Sequence, residues 1–244
     1  MPKRKILPEP SFPLPIPMRR AFSWAALIAL FALASACGAT GEPPGAPNAA
    51  ANGQGDPITA ADAQAILAAF PHRGPDGDVP EIVVFADFKC PHCKTYEETV
   101  MPELLKRYVD SGQARLIYVT LPVLGGDAVS AAKAALAVYD QRPEAFFPYA
   151  EALFRAQQGV NEAWATPATL ANIAHQVAPE IDAEAVKAAA ARGEDPRLDD
   201  AMRLARAWGV EGVPSVLVDG RAVDDPFDLK AIGEMIAAHG RSPR

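Results

Sequence analysis

The stretch that decides the fold of this chain is residues 85–94, which read FADFKCPHCK. An unbroken apolar run, IVVF at 82–85, leads into it and predicts a buried strand. Cys90 and Cys93 follow at the point where a helix is predicted to start. Residues three apart in a helix share one face, so the two sulfur atoms can join or separate with little backbone movement. The pattern therefore predicts a redox-active dithiol at the end of a strand.

The helix start is expected to favour the thiolate form of Cys90. The first turn of a helix has N–H groups without intrahelical partners and carries the positive end of the helix dipole. A free thiol titrates near about 8.5, whereas thiols of Cys-x-x-Cys motifs at helix starts commonly titrate between roughly 3.5 and 7.5. His92 lies between the two cysteines, and its ring can donate a hydrogen bond or carry positive charge. We therefore expect a lowered Cys90 pKa, to which His92 contributes, and an oxidising disulfide.

Composition sets the size class and argues against nucleic-acid binding. The chain has 244 residues, of which 50% are hydrophobic, enough for one well-buried domain. Its formal net charge is −7, and no cluster of Lys and Arg occurs outside the N-terminal region. Because nucleic-acid contact regions are usually basic, we expect no nucleic-acid partner.

Residues 1–36 are predicted to be an export signal. Basic residues come first, an apolar run covers 21–36, and its last residues are small. Met18 opens a more ordinary signal than the proline-rich segment before it, so a start of translation at Met18 is an alternative. Arg19 and Arg20 would also fit a twin-arginine signal. Each alternative places the protein in the cell envelope or periplasm.

Cys37 is the third cysteine of the chain and has no partner if the other two pair with each other. It ends the stretch LASAC at 33–37, which resembles a bacterial lipobox, where the cysteine becomes the lipidated first residue. The alternative is ordinary cleavage after Ala36, which would leave a free thiol. Residues 37–57 are rich in Gly, Pro and Ala, which predicts a flexible tether. We therefore predict a lipid on Cys37 and a folded domain over 58–244.

The rest of the chain shows strand and helix signals in the order of an α/β protein. A helix predicted from the dithiol to about 108, kinked at Pro102, connects the strand at 82–85 to a β-branched strand at 114–121. This βαβ unit puts the dithiol at the C-terminal edge of its first strand. A helical insertion follows over about 122–208, and a ββα unit closes the chain. The predicted helices are 59–70, 127–141, 143–157, 167–177, 182–191, 195–208 and 228–239, with a loop at 71–80 and final strands at 215–218 and 221–223 joined by an Asp-Gly turn.

Two motifs together resemble the DsbA family of the thioredoxin superfamily. They are Phe-x-x-Phe-x-Cys-Pro-His-Cys at 85–93 and the stretch GVEGVPS at 209–215, and the resemblance covers about residues 60–240. It implies an α/β, thioredoxin-like fold with the helical insertion between its βαβ and ββα halves. It also implies catalysis without a cofactor, since the disulfide itself is the redox group.

The resemblance assigns roles to single residues. Cys90 is expected to be the exposed nucleophile, and Cys93 the buried resolving thiol. Pro214 is expected in the cis form, packed against the dithiol. The backbone at Val213 and Pro214 would then be exposed for strand-like pairing with a substrate peptide.

The chain departs from the family pattern at one position. Many relatives place a buried acid six residues before the first cysteine, as a proton relay for the second thiol, and here that position is Val84. Proton transfer would then use water or Asp87. Asp87 itself is expected to be a surface or turn residue.

The leading hypothesis is an exported, membrane-tethered and monomeric thiol-disulfide oxidoreductase that donates its disulfide to cysteine-containing exported proteins. The intermediate would be a mixed disulfide at Cys90, and a membrane redox partner would reoxidise or re-reduce the dithiol. The first alternative keeps the fold and works as a reductase or isomerase. The second is a metallochaperone holding a soft ion such as Cu(I) with Cys90, Cys93 and His92. Zinc is not expected, because no second Cys-x-x-Cys completes four ligands.

Overall fold

A computed structural model describes residues 58–240 of the chain. The predicted export signal, the tether and Cys37 lie outside the described residues. Within these bounds, no helix has the length and apolar character needed to cross a membrane. The helices are α1 Ala60–Leu67, α2 Pro91–Thr99, α3 Met101–Leu104, α4 Asp127–Gln141, α5 Phe146–Ala156, α6 Pro167–Val177, α7 Ala183–Ala191, α8 Pro196–Ala207 and α9 Leu229–Ala237; the strands are β1 His72–Arg73, β2 Glu81–Ala86, β3 Arg115–Thr120, β4 Ser215–Val218 and β5 Arg221–Ala222.

The centre of the described domain is a five-stranded sheet with the strand order β1-β3-β2-β4-β5. β2 lies in the middle, parallel to β3 and antiparallel to β4. Its side chains alternate between two cores: Ile82 and Val84 belong to one, Val83 and Phe85 to the other. Because both faces are covered, the strand is an unbroken apolar run, as predicted.

Helices cover both faces of the sheet. The helical insertion is present between the two halves of the sheet, and α4, α5, α6 and α7 pack on one another within it. α8 follows them in sequence, but it leaves this cluster and packs beside α1, on the face that Val83 and Phe85 line. The segment predicted as one helix at 143–157 is a 3₁₀ turn, Pro143–Ala145, followed by α5. The insertion therefore contributes a cluster of helices, α4 to α7, and one further helix, α8, that packs against the sheet.

The helix that follows the dithiol is broken, at the place where a kink was predicted. α2 ends at Thr99, α3 begins at Met101, and a π-helical turn continues over Leu105–Val109. Pro102 lacks a backbone N–H, and its ring crowds the preceding turn, which explains the interruption. The break at Val100 limits α2 to the residues that start at the dithiol.

Of the two edge strands of the sheet, the sequence predicted β5 but not β1. β1 pairs antiparallel with β3, although a loop was predicted over 71–80. That prediction was wrong at His72–Arg73, because two residues are too few to show an alternating pattern. At the other edge, β4 and β5 form the predicted hairpin through Asp219 and Gly220. Both turn residues have positive φ, 50° and 73°, as a tight Asp-Gly hairpin turn requires.

Candidate active site

Cys90 and Cys93 lie where β2 passes into α2. Cys90 is the N-cap residue of α2, with φ −75° and ψ 121°, and Pro91 follows at the start of the helix. Proline suits this position because its fixed φ is helical and its missing N–H would have no intrahelical partner there. The Cys-Pro sequence therefore starts the helix at the first sulfur and places Cys93 in the first turn, on the buried side.

Asp87 begins the turn between β2 and the dithiol, residues 87–90, which we call the active-site turn. It is 1% exposed, so the expectation of a surface residue was wrong and the expectation of a turn residue was right. Its carboxylate accepts hydrogen bonds from the backbone N–H groups of Lys89 at 2.7 Å and Leu124 at 2.8 Å. Burial raises the pKa of Asp87, and these N–H groups act against the rise. The carboxylate can be buried because both of its oxygens have donors.

Side chains of the helical insertion hold the same turn. Gln157, at the C-terminal end of α5, donates through Nε2 to the carbonyl oxygens of Phe88 at 2.8 Å and Cys90 at 3.2 Å. Asp127, at the start of α4, forms an ion pair with Lys89, and the two side chains are only 14% and 7% exposed. The sequence did not point to these contacts, because the partners lie 38 to 69 residues apart and no spacing rule connects them.

The structure brings the predicted dithiol and the predicted substrate-binding residues together. Both cysteines are free thiols, and Cys90 is 6% exposed against 1% for Cys93. Cys90 is thus the more accessible of the two but less open than the resemblance implied. One reason is the backbone of Val213, whose carbonyl oxygen lies 3.5 Å from Cys90 Sγ. The Val213–Pro214 peptide bond is cis, as the resemblance implied, and both residues are half-buried.

The pKa values of the two thiols are shifted in opposite directions from that of a free cysteine. A hydrogen bond from the Cys93 thiol, together with the backbone N–H groups of Cys93 and His92, lowers the pKa of Cys90 to about 6, although burial acts against it. Burial raises the pKa of Cys93, and its hydrogen bond to Cys90 raises it further. His92 therefore acts through its backbone, and its side chain is exposed. The contribution expected from its ring stays a prediction.

Glu97 is a buried acid near the dithiol that the sequence alone did not single out. It is 8% exposed and follows Cys93 by four residues on the buried side of α2. Burial raises the pKa of Glu97 to about 7, and the charge of Glu151 adds to the rise. The sequence did offer one signal for Glu97: it follows Cys93 by four residues, and residues four apart on a helix share one face. Val84, the position of the acid in many relatives, is fully buried.

Metal binding gains no support from the described part of the chain. Within residues 58–240, no group of three or more His, Cys, Asp or Glu side chains is arranged to hold a metal ion. A soft ion at the dithiol would have the two sulfur atoms and no third ligand placed beside them.

Comparison with known proteins agrees with this geometry. A family model described as Thioredoxin matches residues 72–238. The chain is similar to a probable disulfide bond formation protein D of Bacillus anthracis, with 34% identity over 156 residues, which cover 64% of this chain and 72% of that protein. It is also similar to the disulfide bond formation protein D of Bacillus subtilis, with 25% identity over 174 residues, which cover 68% of this chain and 75% of that protein.

Two crystal structures share the fold. Oxidised BdbD from Bacillus subtilis matches with a TM-score of 0.66 at 24% identity, covering 72% of this chain and 95% of that one. Chlamydia trachomatis DsbA matches with a TM-score of 0.62 at 24% identity, covering 72% and 94%. These matches confirm the predicted thioredoxin-like fold. Because the family model spans most of the described domain and the first relative is more than 30% identical, the chain belongs to the thioredoxin family, and it is a DsbA-type thiol-disulfide oxidoreductase.

Proposed function

We propose that this oxidoreductase works as an oxidant and donates the Cys90–Cys93 disulfide to exported proteins. The observation that carries the proposal is the position of Cys90 at the N-cap of α2, beside the buried Cys93 thiol, which lowers the pKa of Cys90 to about 6 while burial raises that of Cys93. At pH 7 about nine-tenths of Cys90 is then thiolate in the reduced protein. Relative to a thiol of pKa 9.0, this stabilises the reduced form by roughly 1.4 kcal/mol and makes the disulfide about 30 mV more oxidising.

The reaction consists of two thiol-disulfide exchanges. A substrate thiolate attacks Cys90 Sγ, the Cys90–Cys93 bond breaks, and its electron pair leaves on Cys93 Sγ. A second substrate thiolate then attacks the substrate sulfur of the mixed disulfide, which releases the oxidised substrate and the Cys90 thiolate. The low pKa of Cys90 favours this second step, because a thiol of low pKa is the better leaving group.

Val213 and Pro214 hold the substrate backbone in this proposal. Support comes from the position of the Val213 carbonyl oxygen, 3.5 Å from Cys90 Sγ, and from the partial exposure of both residues. An extended peptide whose cysteine reaches Cys90 passes this backbone and can pair with it as an added strand does. Backbone pairing does not depend on side chains, so cysteines in many sequence contexts would be accepted.

The proposed place of action is the cell envelope. Support comes from the sequence, which predicts an export signal over 1–36 and a flexible tether to residue 57 and places a lipobox-like cysteine, Cys37, between them. The lipid on Cys37 anchors a monomeric domain, 58–244, to a membrane, where a membrane redox partner reoxidises the dithiol. Mass spectrometry of the N-terminus from the membrane fraction tests the anchor. A lipidated Cys37 is expected, and an unmodified thiol there would contradict the anchor.

A redox titration of the purified protein against glutathione tests the direction of electron flow. Strong oxidants of this kind have potentials near about −120 mV, and reductants near about −270 mV. We expect a value nearer the first, and a value near the second would support the reductase alternative instead. Cys90→Ser should abolish exchange with unfolded clients, whereas Cys93→Ser should accumulate a mixed disulfide with a disulfide-bonded client.

A further inference from the structure

An open cleft separate from the dithiol lies between α2 and α5. Its volume is about 490 Å³, within the roughly 300–1,000 Å³ of typical ligand pockets. Residues of α3 complete its wall, and neither the two cysteines nor Val213 and Pro214 line it. A ligand in this cleft would therefore be held by contacts other than those of the proposed thiol exchange, and its binding does not require that function.

Glu97 is a buried carboxyl group on the wall of this cleft. It is 8% exposed and makes no hydrogen bond or ion pair with any other residue in the described part of the chain. Buried polar groups in folded proteins are nearly always hydrogen-bonded, and buried charges are paired. Burial and the charge of Glu151 raise the pKa of Glu97 to about 7, as expected for a carboxyl group without a counter-charge. Because Glu97 lines the cleft, a bound group can supply the donor that its ionised form lacks.

The charged side chains around the cleft do not neutralise Glu97. Both arginines of the lining, Arg73 and Arg155, form ion pairs with other carboxylates. Glu98 and Glu151 add two further carboxylates to the lining. Three carboxylates thus face two guanidinium groups that are already paired, and the sign of this charge favours a cation.

The buried neighbours of Glu97 supply no positive charge either. Burial raises the pKa of the Tyr96 and Tyr118 hydroxyls, and the charge of Glu97 adds to the rise, so both hydroxyls are neutral at pH 7. Neither hydroxyl has a hydrogen-bond partner within residues 58–240, so neither donates to the carboxylate. A positive charge for Glu97 can therefore come only from outside these residues.

The rest of the cleft is apolar and partly aromatic. Met101 and Phe154 are 1% exposed, Leu105 and Phe147 are half-buried, and all four line the cleft. The guanidinium group of arginine is planar, donates two parallel hydrogen bonds to a carboxylate and stacks on aromatic rings. It is also more weakly hydrated than the ammonium group of lysine, so it is the easier cation to move out of water. A carboxylate between aromatic and aliphatic side chains is therefore a better site for arginine than for lysine.

We propose that the cleft between α2 and α5 is a docking site for a partner protein, which inserts an arginine side chain onto Glu97. The apolar residues beside this arginine would pack on Met101 and Phe147, and Glu98 and Glu151 would favour the approach of a basic segment. The first turn of α2 carries the dithiol, and Glu97 lies four residues after Cys93, or about 6 Å further along the helix axis. One short helix would thus serve thiol exchange at its start and partner binding one turn later.

The test uses two peptides without cysteine. One is acetyl-Leu-Arg-Phe-amide, and the other has citrulline in place of arginine, which keeps the shape of the side chain and removes its charge. Each is titrated into the purified protein at about pH 8, where Glu97 is mostly ionised. Binding is followed by the NMR signal of the Met101 methyl group, which is assigned with Met101→Leu.

The variant is Glu97→Gln, which is nearly isosteric. Glu184→Gln is the matched control, because it removes the same charge from an exposed position of α7, a helix that does not line the cleft. The comparison of the two peptides on the wild type needs no variant, so it remains decisive even if Glu97→Gln fails to fold.

The arginine peptide should shift the Met101 signal to saturation in the wild type and in Glu184→Gln. Its affinity should be about tenfold lower or less for Glu97→Gln, and the citrulline peptide should bind the wild type equally poorly, because each change removes a hydrogen-bonded charge pair. From about pH 6 to about pH 8, the affinity of the wild type for the arginine peptide should rise about tenfold, since the ionised fraction of Glu97 rises from about a tenth to about nine-tenths. In Glu97→Gln this rise should be absent.

Three results would overturn the docking site. They are equal binding of the two peptides to the wild type, undiminished binding of the arginine peptide to Glu97→Gln, and no saturable shift of the Met101 signal at millimolar peptide. None of these results depends on the redox potential of the dithiol, which tests the proposed function separately.

Discussion

Replacing Cys93 by alanine should raise the pKa of Cys90. The hydrogen bond from the Cys93 thiol is the largest contribution to the lowered Cys90 pKa, and alanine removes this donor while keeping the backbone N–H groups. A hydrogen bond to a charged group contributes about 1.5–3 kcal/mol, which corresponds to about one or two pH units. The Cys90 pKa should therefore rise from about 6 to between roughly 7 and 8.

The change is large enough to measure at pH 7. About nine-tenths of Cys90 is thiolate when its pKa is about 6, and in Cys93→Ala this fraction should fall to between about a half and a tenth. The ultraviolet absorbance of the thiolate and the rate of alkylation by iodoacetamide both follow this fraction. All proteins compared should carry Cys37→Ser, so that the third thiol of the chain does not contribute.

Cys93→Ser is the matched control for this experiment. Its hydroxyl keeps a donor of similar size at the same place, so its Cys90 pKa should stay closer to that of the wild type. An unchanged Cys90 pKa in Cys93→Ala would refute the reasoning. The lowered value would then come from the backbone N–H groups and the helix dipole alone.

Urea unfolding of further variants tests three side chains near the dithiol. Glu97→Gln should have the same unfolding free energy as the wild type below about pH 4 but be roughly 3 kcal/mol more stable at about pH 8. The reason is that the folded wild type, in which the Glu97 pKa is raised from 4.5 to about 7, loses stability as the pH rises through that range. Equal stability of the variant and the wild type at both pH values would contradict the raised pKa. Gln157→Ala should lower the unfolding free energy by about 1–3 kcal/mol, because two carbonyl groups of the active-site turn lose their donor. Lys89→Ala should cost about 1–3 kcal/mol, because the partly buried Asp127 loses its charged donor and keeps the Ala165 N–H, and adding Asp127→Asn should restore part of this loss if the reasoning holds.

The parts of the site that were predictable depend on neighbours in the sequence. An unbroken apolar run makes β2 a buried strand, and the Cys-Pro sequence starts α2 at Cys90. Pro102 interrupts the helix that follows, since the missing N–H and the ring act within one turn. The two-residue strand β1 was not predictable, because its conformation follows from pairing with β3.

By itself the sequence determined that a dithiol at a helix start ends a buried strand, and that helices separate the two halves of the sheet. Only the tertiary structure decided that Asp87 is buried, that Gln157 and Asp127 reach the active-site turn, and that Glu97 is buried beside the cleft between α2 and α5. The physical reason is the distance along the sequence over which each effect acts. Periodicity, capping and helix breaking act within a few residues, whereas these polar side chains are held by elements that lie 37 or more residues away in the sequence.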